Sequence, residues 1–267
     1  MKKKMVFAVV LFVVLFTIAV VLIKTPLLHL NEEDTSGKYQ NFYTTLYKIT
    51  KSEQILNHTI QSYSYLGNNY DELKPLFEDA FEIRDNYNQD TLEVSAYTQL
   101  DYFYILYLVT NDKIEEADKY IDDNLNENNL NEVASALSTI YYTLDEKEDK
   151  DWSLTKTKEV IESDFYQELI KNEYQSGYLK NAHMISSWSF YVYALFNSGA
   201  YDESLNEIKK MAQNPNASHF IFTTLNLVSD DDNAQKSEFI DNVIEYLENN
   251  DTLTKEELIR LKELYQQ

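Results

Sequence analysis

The chain is 267 residues long and carries a formal net charge of −22, with 45 acidic side chains against 23 basic ones. A surface of that sign repels phosphate backbones, which excludes nucleic acid as a partner. Glycine (4) and proline (3) are scarce and cysteine is absent, which argues against a turn-rich sheet protein and a disulfide scaffold and for an all-α fold joined by Asn- and Asp-rich loops.

Residues 5–23 read MVFAVVLFVVLFTIAVVLI, without a single charge. At about 1.5 Å per residue, a helix of that length reaches roughly 28 Å, close to the ~30 Å hydrocarbon core of a bilayer. Lys2, Lys3 and Lys4 precede it, whereas only Lys24 follows before Glu32, Glu33 and Asp34. That asymmetry predicts a single-pass transmembrane anchor over 1–24, with a cytoplasmic N-terminus and an extracellular C-terminal body. A cleaved secretory signal is the alternative reading, but the apolar run exceeds the roughly 7–15 residues of such signals and no Ala-x-Ala pattern follows it. Residues 25–37 form an acidic linker and 38–267 a helical ectodomain. The composition, cysteine-free and rich in Asn, Lys, Tyr and Ile, suggests a bacterial cell surface.

From Tyr39 the apolar positions Phe42, Leu46, Ile49, Ile55, Leu56, Ile60 and Tyr63 recur at helical spacing, and Gly67-Asn68-Asn69 interrupts them. Asp71 is expected to cap the next helix, with Pro75 in its first turn and Leu73, Leu76, Phe77, Ala80 and Phe81 on its apolar face. Leu92 to Val109 is apolar on nearly every side and reads as a buried helix. Asn111-Asp112 turns the chain into an amphipathic partner carrying Ile114, Ala117, Ile121 and Leu125, and a third helix runs from Leu130 to Leu144. Seven charged residues, 145–151, then mark a candidate subdivision or a solvated helix end. The next helix is expected through Val160, Ile161, Phe165 and Ile170, and a long one from about Gly177 to Asn197. Helices near 201–213, 216–228 and 235–249 follow, and a last one starts at Lys255, where Thr254 and Glu257 make a capping box.

The segment 186–215, containing SWSFYVYALFNSGAYDESLNEIKKMAQNP, resembles a tetratricopeptide repeat. Trp188 stands at the early aromatic position, Gly199 and Tyr201 at the turn, Ser204 at the small-residue position and Pro215 near the end. Val192 and Leu195 replace the Gly and Tyr common in the first helix. Residues 98–125 match more loosely, with Ala117 at the small-residue position, 87 residues before Ser204. The resemblance implies an irregular stack of tetratricopeptide-like α-hairpins that binds a peptide or protein. A compact helical bundle is the alternative. In such a stack the ligand-facing side of the first helix would carry Ser186, Ser189, Tyr193, Phe196 and Asn197, and the weaker hairpin would contribute Gln99, Tyr102, Leu106 and Thr110.

Motifs for chemistry are missing. The four glycines (Gly37, Gly67, Gly177, Gly199) lie too far apart for a phosphate cradle, so no nucleotide is expected. His29, His58, His183 and His219 form no i,i+4 pair for zinc, and no Gly-x-Ser-x-Gly elbow occurs. Asp230-Asp231-Asp232-Asn233 opens like a calcium loop, but Ala234 and Gln235 break the spacing, leaving a loop and helix cap as the favoured reading. The expectation is a membrane-anchored binding or scaffold protein, not an enzyme, without metal or cofactor. A cell-surface carbohydrate-active enzyme or glycan binder, and a regulator of a neighbouring membrane protein, are the alternatives.

Overall fold

A computed structural model describes residues 39–86, 99–126, 128–144, 146–169, 182–213 and 217–265, with only the backbone for 182–186. All described residues lie in helices or the connections between them. The apolar run 5–23, the linker 25–37, the expected helix starts at Leu92 and Gly177, Ile170 and Pro215 lie outside this set. Among the described residues no helix is long and apolar enough to cross a membrane. The chain divides into two compact units, one ending at Ala117 and the other beginning at Asp118.

The first unit holds α1 (Gln40–Thr50), α2 (Glu53–Tyr63), α3 (Tyr70–Asn86) and α4 (Leu100–Thr110), and the division falls inside α5 (Ile114–Asn124). Here α3 packs on α1 and α2, and α4 packs on α2 and α3. The core is aromatic: Tyr43, Tyr63, Phe77 and Tyr107 are all buried beside Leu56, Ile60 and Leu73. Leu100 onward confirms the expectation of a helix apolar all round, since Phe103 and the five residues from Ile105 to Val109 are all buried. Its polar Asp101 is buried too, and Arg84 reaches it at 2.8 Å from α3. Burying a carboxylate costs free energy, which the guanidinium helps to offset.

Two sequence expectations in α3 need correction. The helix starts at Tyr70, with Leu73 N–H donating to the Asn69 carbonyl, so Asp71 lies inside the first turn and not at the cap. Pro75 therefore falls beyond the first turn, at a position where its missing N–H costs a helical bond. The cause is Asn69. Its main-chain N–H donates to Asn111 Oδ1 (2.8 Å), its amide donates to the Tyr63 carbonyl (2.8 Å), and Asn111 returns a bond to Asn69 Oδ1 (3.0 Å). This amide pair fixes the helix start two residues earlier than a cap at Asp71 would.

The second unit holds α6 (Leu130–Thr143), α7 (Lys147–Glu162), α8 (Ala182–Asn197), α9 (Tyr201–Met211), α10 (Ala217–Ser229), α11 (Lys236–Asn249) and α12 (Lys255–Tyr265). The charged run 145–151 becomes largely the first turns of α7, where its acids face the positive end of the helix dipole. The expected helix through residue 170 breaks at Ser163, whose hydroxyl donates to the Val160 carbonyl, before helix resumes over 164–169.

Helices pair as α6–α7, α8–α9 and α10–α11, and one packing rule repeats: α8 sits against α6 and α7, α10 against α8 and α9, α12 against α10 and α11. Each new helix thus fills the groove of the preceding pair. The all-α fold of packed helix pairs is compatible with a helical-repeat architecture. Thr254 and Glu257 form the expected capping box before α12, with Thr254 N–H donating to Glu257 Oε2 (2.9 Å) and Glu257 N–H donating to Thr254 Oγ1 (3.2 Å).

The turn after α8 is the one the sequence predicts. Gly199 has φ +86°, its N–H donates to the Phe196 carbonyl, and Ala200 N–H donates to that of Leu195, a Schellman turn. Asp112, 87 residues earlier, makes the same turn with φ +58°, using the carbonyls of Val109 and Leu108. Gly67 (φ +65°) is different in kind. A Cβ there would meet the Thr110 carbonyl oxygen at 2.5 Å, whereas at Gly199 it would meet nothing within 4 Å.

Gly199→Ala should therefore lower stability by only about 1 kcal/mol, the cost of a left-handed backbone. Gly67→Ala adds a main-chain clash and should exceed roughly 2 kcal/mol. Denaturant unfolding of both variants checks the order, and equal losses would show that the Gly67 turn moves freely away from α4.

Candidate binding surface

The sequence-predicted groove residues do not share one environment. Ser189 is fully buried and its hydroxyl donates to the Phe220 carbonyl of α10 at 3.1 Å. Phe196 is likewise buried, with its ring 5.4 Å from Tyr201 and 5.0 Å from Phe239. Tyr193 is half-buried, and Asn197 is exposed at the end of α8. Ser186 lies in α8, in the stretch described by its backbone only. Gln99 and Tyr102 belong to the first unit: Gln99 is exposed ahead of α4, and Tyr102 is half-buried with its ring 5.0 Å from Phe103. Leu106 is buried there, and Thr110 donates to the Ser64 carbonyl at 2.9 Å.

What the second unit does bring together is an aromatic cluster that grows from three elements. The end of α6 supplies Tyr141 and Tyr142, α8 supplies Phe190 and Tyr193, and the α10–α11 connection supplies Asp231. Phe190 and Tyr193 are three residues apart and so share a helix face. Tyr142 lies edge-on to Phe190 (5.4 Å between centroids) and tilted against Tyr193 (6.2 Å), while Tyr141 meets Phe190 at 5.8 Å. These separations suit edge-to-face ring pairing. Tyr141 is tethered by its hydroxyl to the Ala194 carbonyl at 3.2 Å, which locks α6 to α8. Tyr142, whose ring meets Tyr141 edge-on at 5.2 Å, remains 46% exposed, although Phe190 beside it is buried.

Asp231 anchors the polar edge. Tyr193 donates its hydroxyl to Asp231 Oδ2 at 2.8 Å, and Asn233 N–H donates to Oδ1 at 2.8 Å. Asn233 Oδ1 accepts from Gln235 N–H at 2.9 Å, so the acidic tetrad folds as consecutive Asx turns. The loop half of the favoured reading of this tetrad stands. The cap half does not, because Gln235 occupies the N-cap of α11 and makes no side-chain cap bond. Lys236 stabilises the loop from below, donating to the main-chain carbonyls of Ser229 (3.1 Å) and Asp231 (2.7 Å).

Burial, and then the bond to Asp231, push the Tyr193 hydroxyl up to about 12. In the first unit Tyr104 is also pushed up to about 12, mainly by burial. Both hydroxyls therefore stay neutral through the physiological range. Tyr142 was not among the predicted residues. The only sequence signal for it is the Tyr141-Tyr142 dyad at a helix end, where successive residues must point about 100° apart, so that one turns inward and one outward.

Among the described residues no group of three or more His, Asp or Glu side chains is placed to hold a metal ion. No known protein family matches the chain, and comparison with curated proteins and with solved structures gives no significant match.

The tyrosine shifts carry a pH signature. A hydroxyl whose folded pKa is raised stabilises the fold fully below its unfolded value of about 10, and that contribution is lost as the pH rises towards about 12. Ultraviolet titration of phenolate in the full chain should thus lag behind free tyrosine, and Tyr193→Phe should remove part of the late-ionising fraction. A folded chain whose tyrosines all ionise near the ordinary value would contradict the burial described here.

Proposed function

We propose that the protein is a membrane-anchored, extracytoplasmic scaffold whose helical body, of the tetratricopeptide-like kind, engages a peptide or protein partner. The observation that carries this reading is the packing rule of the second unit, in which α8, α10 and α12 each seat in the groove of the preceding helix pair. A stack built in this way presents the first helices of successive pairs side by side, and recognition surfaces in such proteins extend across repeats. The resemblance of 186–215 supports the same reading at residue level. Ser204 is fully buried where the two helices of the pair meet, and its hydroxyl donates to the Val192 carbonyl at 2.9 Å. Gly199 supplies the left-handed turn between them.

The membrane placement rests on the sequence. The uncharged run 5–23, the lysines before it and the acidic segment 25–37 support an anchor with the body outside. An acidic exterior also suits a surface domain that must stay soluble beside anionic lipid. The aromatic cluster around Tyr142 and Tyr193 is the part of the body best suited to a partner, because it exposes ring surface on a rigid two-helix base.

The test uses the full chain in its own cells. A photo-cross-linking amino acid at position 142 or 193 should capture one discrete protein, whereas the same group at Glu245 on α11 should not. Protease added outside intact cells should remove the body and leave the segment containing 5–23 in the membrane. A body that external protease cannot reach would sink the extracytoplasmic reading, and identical cross-linking from positions 142, 193 and 245 would sink the binding surface.

A further inference from the structure

Several aromatic rings of this molecule are covered by its own cations. Lys51 lies over Tyr47 (4.9 Å), Lys74 and Lys113 over Tyr70 (5.3 and 5.0 Å), Arg84 over Phe81 (4.8 Å), Lys209 over Tyr246 (5.6 Å) and Arg260 over Phe222 (5.3 Å). Over the cluster of Tyr142, Phe190 and Tyr193, among the described residues, no lysine or arginine lies, and none is ion-paired with Asp230, Asp231 or Asp232. The nearest basic group in the loop, Lys236, spends its ammonium on two main-chain carbonyls and offers the rings nothing.

We propose that this cluster is an open cation–π site that receives an arginine side chain from a basic segment of a protein partner, with Tyr142 as the exposed platform and Asp231 as the anionic wall. The proposal rests on the binding-scaffold reading and names the chemistry of what binds. Three features select a guanidinium. The ring of Tyr142 is 46% exposed, so a planar cation can lie on it. Tyr193 donates its hydroxyl hydrogen to Asp231, which leaves its ring electron-rich and its oxygen unable to donate to a competing anion. Asp231 uses one lone pair on each oxygen for Tyr193 and Asn233, and a carboxylate has about four such sites, so about two remain for N–H donors. The net charge of −22 adds long-range attraction for the same partner and repels an acidic one.

The experiment titrates the full chain, held in an uncharged detergent, with a capped Gly-Arg-Gly-Arg-Gly peptide and with its citrulline counterpart, which keeps the shape and loses the charge. Calorimetry should detect the arginine peptide and not the citrulline one. Tyr142→Ala should weaken binding by about 5- to 20-fold, Tyr142→Phe should retain it, and Asp231→Asn should weaken it by about 3- to 10-fold. Glu245→Gln, which removes the same charge from α11, should change affinity less than twofold. Circular dichroism confirms that each variant is folded, and the conservative Phe and Asn variants keep the test valid if the alanine variant is not. Unchanged affinity in folded Tyr142→Ala, or equal weakening by Asp231→Asn and Glu245→Gln, would overturn the proposal, the second by reducing it to diffuse attraction. A partner cross-linked through position 142 whose contacting segment holds no arginine or lysine would overturn it while leaving the scaffold reading intact.

Discussion

The helix α8 has almost no polar face to offer water, and the second unit is built around that constraint. From Ser187 to Phe196 every residue except Tyr193 is buried. A helix of this kind is stable only when other helices surround it, and α8 is contacted by α6, α7, α9 and α10. Its few polar atoms are then obliged to find partners inside. Ser189 reaches the Phe220 carbonyl, Trp188 Nε1 donates to Glu207 Oε2 at 3.1 Å, and Glu207 is in turn held by Lys210 at 2.6 Å. That chain of contacts ties α8 to both α9 and α10. Truncating a ring such as Phe196 would open a cavity on the axis of the unit, where losses of about 3–5 kcal/mol are usual.

Buried charge follows the same logic at the outer pairs. Lys156 on α7 is only 3% exposed, and its ammonium is held by Asp118 (2.9 Å), Asp122 (2.7 Å) and Glu159 (2.9 Å). Burial alone would pull its pKa down, but three carboxylates outweigh that and raise it, so the lysine stays charged. The pairing is asymmetric, since the carboxylates keep substantial contact with water while the cation does not. Such a node adds less to stability than its distances suggest, because desolvation offsets much of the attraction. What it supplies is position: Lys156 ties α7 to Asp118 and Asp122 in the second half of α5.

Helix existence was legible in the sequence because apolar spacing and the shortage of glycine and proline point the same way at every level. The features that were read correctly at single-residue resolution are local ones. Gly199 needs a positive φ because the chain reverses there, and Thr254 with Glu257 closes a capping box within four residues. The features that were missed depend on distant partners. Asp71 looks like a cap until Asn69 is seen bonded to Asn111, 42 residues away. The candidate groove shows the same limit. A helix apolar on all sides gives no internal sign of which face is outward, so Ser189 and Phe196 were grouped with Tyr193 although they lie only a few tens of degrees around the axis from it and point into neighbours. Polar character misled for Ser189, whose hydroxyl serves the core.

The relation between the two Schellman turns, at Asp112 and Gly199, separates what repeats in this chain from what does not. The spacing of 87 residues holds through Phe103 and Phe190, Ala117 and Ser204, and Ile121 and Ile208. Yet the intervening helices keep no common period, and a left-handed aspartate does the work of a glycine at one of the two turns. Turn geometry survives because main-chain bonds define it and several residue types can satisfy them, glycine most cheaply. Side-chain surfaces are under no such constraint. At the position of Tyr193 the earlier hairpin carries Leu106, buried, and where Phe190 meets the exposed Tyr142 it carries Phe103, whose ring meets Tyr65 and Tyr102. Tyr65 is nearly as exposed against Phe103 as Tyr142 is against Phe190, so what sets the later hairpin apart is Tyr193 and its bond to Asp231. A recognition surface is expected to arise in this way, on a shared scaffold, by substitution of the few residues that the packing does not claim.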